Sequence, residues 1–158
     1  ITNEELMESS KAISNATEDD LSDDQQLLKG VVNTMIIVNT IDEYIDVDAN
    51  GDMERKDDKV SYTDILDKIV YPDGTGDDKK SIFDYSTEAS DGFTNSNSLS
   101  NDQEEQINET KTASDNLSKL YEAKNNNTPF IFNGKTYNSS STDEDIQKGL
   151  EDIFKDMN

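Results

Sequence analysis

The sequence contains no cysteine, no histidine and no tryptophan. Without cysteine and histidine, a chain has no disulfide framework, no zinc site built on those residues, no cysteine nucleophile and no serine-histidine-aspartate triad. Catalysis would have to rely on carboxylates, lysine, tyrosine or a metal ion. With 36 acidic residues in the chain, a pair of carboxylates is not a specific signal. We therefore expect a protein that is not an enzyme.

Apolar residues are scarce as well, at 31% of the 158 residues, and the mean hydropathy is -0.89. The hydrophobic core must therefore be thin. Only 14 basic residues oppose the 36 acidic ones, which gives a net charge of -22. Repulsion at this charge destabilises a compact state, and bound cations would relieve it.

A surface this acidic disfavours nucleic-acid phosphates and anionic lipid headgroups, and it favours cations and basic protein surfaces. No apolar run is long enough to span a bilayer, and the chain from Ile1 onward lacks the charged-then-apolar pattern of a signal peptide. We expect a protein partner, with no nucleic acid and no membrane span.

Helical signals dominate the first half of the chain. Thr2 to Glu5 and Ser22 to Gln25 both fit capping boxes, and each precedes an apolar stripe of helical spacing. The second stripe fills almost the whole circumference of a helix, which predicts a central helix packed on several sides. Its apolar residues are Leu27, Leu28, Val31, Val32, Met35, Ile36, Val38, Ile41, Tyr44 and Ile45. A shorter helix is predicted after Ser61, with one apolar face formed by Ile65, Leu66, Ile69 and Val70.

The second half predicts two further helices and a hairpin. Residues 103–124 carry a narrow apolar stripe, and Ser141 to Glu144 fits a capping box for a last helix. Between them, the Asn133-Gly134 pair accepts the positive φ angles of a two-residue turn. The fold class is therefore mainly α, with about five helices and one short β-hairpin near the C-terminus.

Residues 86–101 are dominated by serine, asparagine, threonine, aspartate and glycine, which predicts a polar loop. The preceding Ile82 to Tyr85 is predicted to form one turn or a short strand. We expect a single helical domain over 1–158, with the polar loop as the boundary between candidate lobes 1–85 and 102–158.

The run from Asp46 to Asp52 carries the most specific chemical signal. Asp46, Asp48 and Asn50 stand at alternate positions, and Gly51 can turn the backbone sharply. Calcium requires six to eight oxygen ligands at about 2.3–2.6 Å, and such a loop supplies the first of them. This pattern resembles the first half of an EF-hand calcium loop, and the resemblance implies a helix-loop-helix calcium site. The alternative interpretation is a polar turn without metal.

The second half of the EF-hand pattern has two possible registers. Twelve positions from Asp46 place Asp57 at the closing position, where the family carries a long glutamate. An extended register closes at Asp64 and leaves residues 53–59 bulged out of the loop. We predict the ligands Asp46, Asp48, Asn50 and Asp64, with a backbone carbonyl near Asp52 or in the bulge. Asp52 and Asp57 are the competing candidates. The implied cofactor is a structural Ca²⁺ ion.

Three functional hypotheses follow from these observations. The first is a calcium-binding helical protein that acts as a binding or structural module. Its expected location is extracellular or on the bacterial cell surface, where a lipid anchor before Ile1 would be compatible with the chain. The second is an acidic interaction protein, an inhibitor or nucleic-acid mimic, that acts through its negative surface. The third is a hydrolase with a metal-bound water.

Overall fold

The computed structural model describes residues 1–16 and 20–157. In this part of the chain there are six helices and two short antiparallel hairpins, so the predicted fold class is confirmed. The helices are α1 (Asn3–Ser14), α2 (Asp23–Tyr44), α3 (Tyr62–Val70), α4 (Ile82–Asn95), α5 (Asn101–Asn126) and α6 (Asp143–Lys155). The strands are β1 (Ile45–Val47), β2 (Met53–Arg55), β3 (Phe130–Phe132) and β4 (Lys135–Tyr137).

Each of these helices begins after a serine or threonine whose side chain accepts a hydrogen bond from a backbone amide of the first turn. The N-caps are Thr2, Ser22, Ser61, Ser81, Ser100 and Thr142. The predicted cap of the last helix was wrong by one residue, because Thr142 and Asp145 form the capping box. Ser141 is instead buried, and its Oγ accepts from the Asn138 amide at 2.9 Å.

The predicted loop over residues 86–101 was wrong for most of its length, because α4 extends from Ile82 to Asn95. Ser81 and Asp84 form a capping box that starts this helix. Its buried face carries small residues such as Ala89 and Gly92. Tertiary packing therefore outweighs the weak helix propensity of a segment rich in serine, threonine and asparagine.

Helix α2 packs on α1 and, most extensively, on α4. The α2–α4 crossing is very close at Gly30 and Gly92. A Cβ atom placed on Gly92 would lie 2.6 Å from both the Gln26 carbonyl oxygen and the Gly30 amide nitrogen. A Cβ atom on Gly30 would lie 2.7 Å from the Phe93 ring. The two helix backbones therefore touch without intervening side chains, which explains why glycine stands at both positions.

The core continues from α4 to α5, and α6 packs on both α3 and α5. Its buried apolar side chains come from every described helix, and they include Ile36, Leu66, Leu120 and Leu150. The β3–β4 hairpin lies beside α5 and has Asn133 at φ 49° and Gly134 at φ 77°. The turn predicted from the Asn-Gly pair is thus confirmed.

Helix α2 packs on α1, α3 and α4, but its outer face is exposed, so the prediction that its apolar residues are buried around almost the whole circumference was wrong. We define the α2 outer face as its five exposed apolar residues, Leu27, Leu28, Val31, Met35 and Val38. Their exposed fractions range from 36% for Leu27 to 51% for Leu28. None of the described helices is both long enough and apolar enough to cross a membrane.

A polar network connects α1, α2 and α4. Glu88 of α4 accepts hydrogen bonds from Lys80 Nζ at 2.8 Å and from Ser14 Oγ at 2.9 Å. The buried Ser10 Oγ lies 2.6 Å from Asn33 Oδ1 and 3.2 Å from Glu88 Oε2. Because Glu88 and Lys80 are largely shielded from solvent, their pairing contributes more than a surface ion pair does.

We expect Glu88→Ala to destabilise the protein by about 2 kcal/mol, because it removes the acceptor of Lys80 and Ser14 and one acceptor of the buried Ser10. Urea denaturation followed by circular dichroism would measure this. Glu8→Ala is the matched control, since it removes the same charge from an exposed position of α1. The control should change stability by less than about 0.5 kcal/mol. Equal effects of the two substitutions would contradict the role given to the network.

Candidate functional site

The predicted calcium segment folds as a β-hairpin between α2 and α3. Strand β1 pairs with β2 in antiparallel register, with Asp46 opposite Glu54 and Val47 opposite Met53. Ile45 is 1% exposed and fixes the base of the hairpin in the core. The prediction that residues 53–59 bulge out of an extended loop was therefore wrong, because Met53–Arg55 is a strand.

The turn of this hairpin is ordered by Asp48. Its Oδ1 accepts hydrogen bonds from the Asn50 and Asp52 amides, both at 2.9 Å. Its own amide donates to the Asp52 carbonyl at 3.0 Å, and Gly51 takes a φ of 80°. Aspartate and glycine are suited to such a turn, since a short carboxylate bonds to its own backbone and glycine accepts positive φ. A backbone ligand was predicted near Asp52 or in the bulge, and the Asp52 carbonyl already accepts a hydrogen bond within the turn.

The hairpin has one acidic face. Successive residues of a strand point to opposite sides, so the register places Asp46 and Glu54 on the same side. By the same alternation Asp48 and Asp52 follow on that side, and the four residues line one shallow depression whose lining also includes Val47 and Met53. We name these four residues, Asp46, Asp48, Asp52 and Glu54, the acidic hairpin face. Like charges opposite each other across strands are destabilising, so a cation here would offset a real cost.

Basic side chains approach the hairpin from its base. Lys56 Nζ lies 3.7 Å from Asp46 Oδ1 and also donates to the Asp42 carbonyl. Arg55, the sole arginine of the sequence, lies with its guanidinium 4.5 Å from the centroid of the Tyr62 ring. It also donates to the Val60 carbonyl at 2.9 Å. These contacts hold the hairpin against the start of α3.

The remaining predicted ligands lie elsewhere. Asn50 is exposed in the turn and does not line the depression. Asp64 is in the first turn of α3, and its charge adds to burial in raising the pKa of Asp67. The Asp57 Oδ1 accepts from the Lys59 amide at 2.9 Å. The structure therefore brings together three of the predicted residues, Asp46, Asp48 and Asp52, and adds Glu54.

The geometry is open rather than closed around an ion. Within residues 1–16 and 20–157, no three acidic side chains converge in a way that would hold a metal ion. The four residues of the acidic hairpin face are exposed, but Asp48 Oδ1 is held by the Asn50 and Asp52 amides and Asp46 lies near Lys56.

Comparison of the chain with protein-family models, curated proteins and solved structures finds no match.

Proposed function

We propose that this chain is a non-catalytic binding module and that calcium stabilises it at the acidic hairpin face. Extracellular fluid or the bacterial cell surface is the location we propose with it. The cross-strand register carries the proposal, because it gathers Asp46, Asp48, Asp52 and Glu54 on one side of a hairpin anchored in the core. Calcium prefers carboxylate and carbonyl oxygens and accepts irregular geometry.

The expected affinity is low. The ligands are exposed, and a site of this kind must first order its side chains, which costs conformational entropy. Extracellular modules bind calcium with dissociation constants of about 10⁻⁴–10⁻³ M, which suits such a site. Binding would also reduce the repulsion within a chain of net charge -22.

Calcium at ten times its dissociation constant should stabilise the protein by about 1.4 kcal/mol, which raises the melting temperature by about 4 °C. Thermal denaturation in millimolar calcium and in chelator measures this shift. The double variant Asp46→Asn with Glu54→Gln should lose it, and it leaves Asp48 in place to order the turn. Magnesium should give a smaller shift, because it demands octahedral geometry and gives up its water reluctantly.

The matched control is Glu104→Gln with Glu105→Gln, which removes the same charge from exposed positions of α5. This variant should keep the calcium response. Identical melting curves in calcium and chelator would contradict the proposed site. An equal loss of the response in both double variants would show that calcium acts only through the total charge.

A second candidate function is an acidic inhibitor or nucleic-acid mimic. A groove between α5 and α6 favours it, because its lining includes Glu104, Glu105, Glu109 and Asp156. Binding of a basic protein at that groove would weaken steeply with salt and would not respond to calcium. The salt dependence and the calcium dependence of binding therefore separate this function from that of a calcium-stabilised module.

A further inference from the structure

The α2 outer face is continuous and free of charge. Its residues Leu28, Val31, Met35 and Val38 are spaced alternately by three and four positions, which aligns them along one side of the helix. From Leu27 to Val38 the stripe extends over about 17 Å of the helix axis. Apolar surface that continues over three turns of a helix typically marks an interaction site.

The composition of this segment differs sharply from that of the whole chain. Residues 25–41 contain no acidic residue, although 36 of the 158 residues of the chain are acidic. Lys29, the single charged residue of that segment, is buried on the inner side. The stripe is therefore an uncharged region, here called the window, in a strongly negative surface.

Acidic residues stand at both ends of the window. Asp24 precedes Leu28 by four positions and Asp42 follows Val38 by four, so both continue the same stripe. Asp23 and Glu43 add a second charge at each end. Acids near a helix C-terminus interact unfavourably with the helix dipole, and α2 has no basic residue in its last turn. Within α2 no basic residue offsets Asp42 and Glu43; Lys56 of the hairpin donates to the Asp42 carbonyl, and a cation of a partner would add to it.

We propose that the α2 outer face binds an amphipathic helix of a basic partner. The partner helix would place an apolar stripe of about three turns on Leu28, Val31, Met35 and Val38, with lysine or arginine at both of its ends. A second copy of this chain fits poorly. Parallel or antiparallel pairing of two α2 helices sets acid against acid, and each copy carries a net charge of -22.

This proposal deepens the binding-module part of the proposed function and does not depend on calcium, because the face lies on α2 and not on the hairpin. Its test uses the full chain and a synthetic, fluorescein-labelled peptide of 21 residues. The peptide carries lysines in its first and last turns, leucines at spacings of three and four between them, and alanine or glutamine elsewhere. Fluorescence anisotropy measures its affinity, in calcium and in chelator.

The peptide should bind, and Leu28→Ser or Met35→Ser should each weaken binding about tenfold, as expected when a large apolar side chain is removed from the centre of an interface. Ile131→Ser is the matched control, because Ile131 is 71% exposed on β3, and it should leave affinity unchanged. Asp24→Asn with Asp42→Asn should weaken binding and flatten its salt dependence. Affinity should be equal in calcium and chelator, so a failed calcium response and a failed peptide test remain distinguishable.

Several results would overturn the proposal. One is equal binding of a scrambled peptide of the same composition, which would show attraction to charge alone. Another is equal affinity for all three serine variants. If light scattering detects a dimer and Met35→Lys abolishes it, the α2 outer face binds a second copy of the chain. If the protein sediments with phosphatidylcholine vesicles and this depends on Met35, the α2 outer face binds a lipid surface.

Discussion

Gly92→Ala should destabilise the protein by about 3 kcal/mol and lower its melting temperature by about 10 °C. Helix propensity alone predicts the opposite sign, because alanine is favoured over glycine in a helix by about 1 kcal/mol. The steric term prevails because the new Cβ would lie 2.6 Å from two backbone atoms of α2. Backbone atoms cannot turn aside as a side chain can, so α2 and α4 must move apart and pack less closely along their length.

Two other glycines provide graded controls for this result. At Gly30 the nearest atoms to a new Cβ belong to the half-buried Phe93 ring, which can rotate, so Gly30→Ala should cost less. At Gly149 they are Leu120 Cδ2 at 3.0 Å and Tyr137 ring atoms at 3.3 Å, and Gly149→Ala should cost least. Urea denaturation measures the series. A Gly92→Ala variant as stable as Gly149→Ala would show that the two helices are not in backbone contact.

Leu120→Ala should also cost about 3 kcal/mol, because it leaves a cavity in a closely packed core. Leu120 is fully buried in α5, at 0% exposure. Leu28→Ala is the matched control, since the same atoms are removed from a residue that is 51% exposed. That variant should change stability by less than about 0.5 kcal/mol.

Urea denaturation compares the two leucine variants when the same dependence of the unfolding free energy on urea concentration is used for both. A similar loss of unfolding free energy in the two variants would mean that the outer side of α2 is buried in solution, by self-association or by another part of the molecule. Light scattering on the same samples would separate these two causes. The comparison therefore also tests whether the α2 outer face is available to a partner.

Local sequence signals predicted much of this fold. The Ser22 to Gln25 capping box and the apolar stripe behind it located α2, and Asn133-Gly134 located the β3–β4 turn. These signals act within a few residues, so they can be read without knowledge of the fold. Helix α4 was missed because its buried face is built largely from small and polar residues, and only the position of α2 makes those residues part of a core.

The sequence predicted the candidate site only in part. Asn50-Gly51 is the same dipeptide that marks the C-terminal turn, yet the alternating acids around it were interpreted as a helix-loop-helix calcium loop. Two paired strands also place same-side residues at every second position, which fits Asp46 and Asp48 on one strand and Asp52 and Glu54 on the other. An interpretation as a hairpin would therefore have included Glu54. The outer side of α2 was assigned to the core because periodicity shows which residues align, but not how many sides of a helix find a neighbour.

The glycine contact between α2 and α4 has a consequence for the order of folding. Gly30 and Gly92 are about sixty residues apart, so the ribosome completes α2 well before it makes the helix that covers the inner side of α2. During that interval the outer face of α2 and the part of its inner side that α4 covers face water or a chaperone, and closure of the intervening chain must precede burial. Folding of this small helical protein thus depends on a distant contact, which slows it relative to bundles whose neighbouring helices are adjacent in sequence.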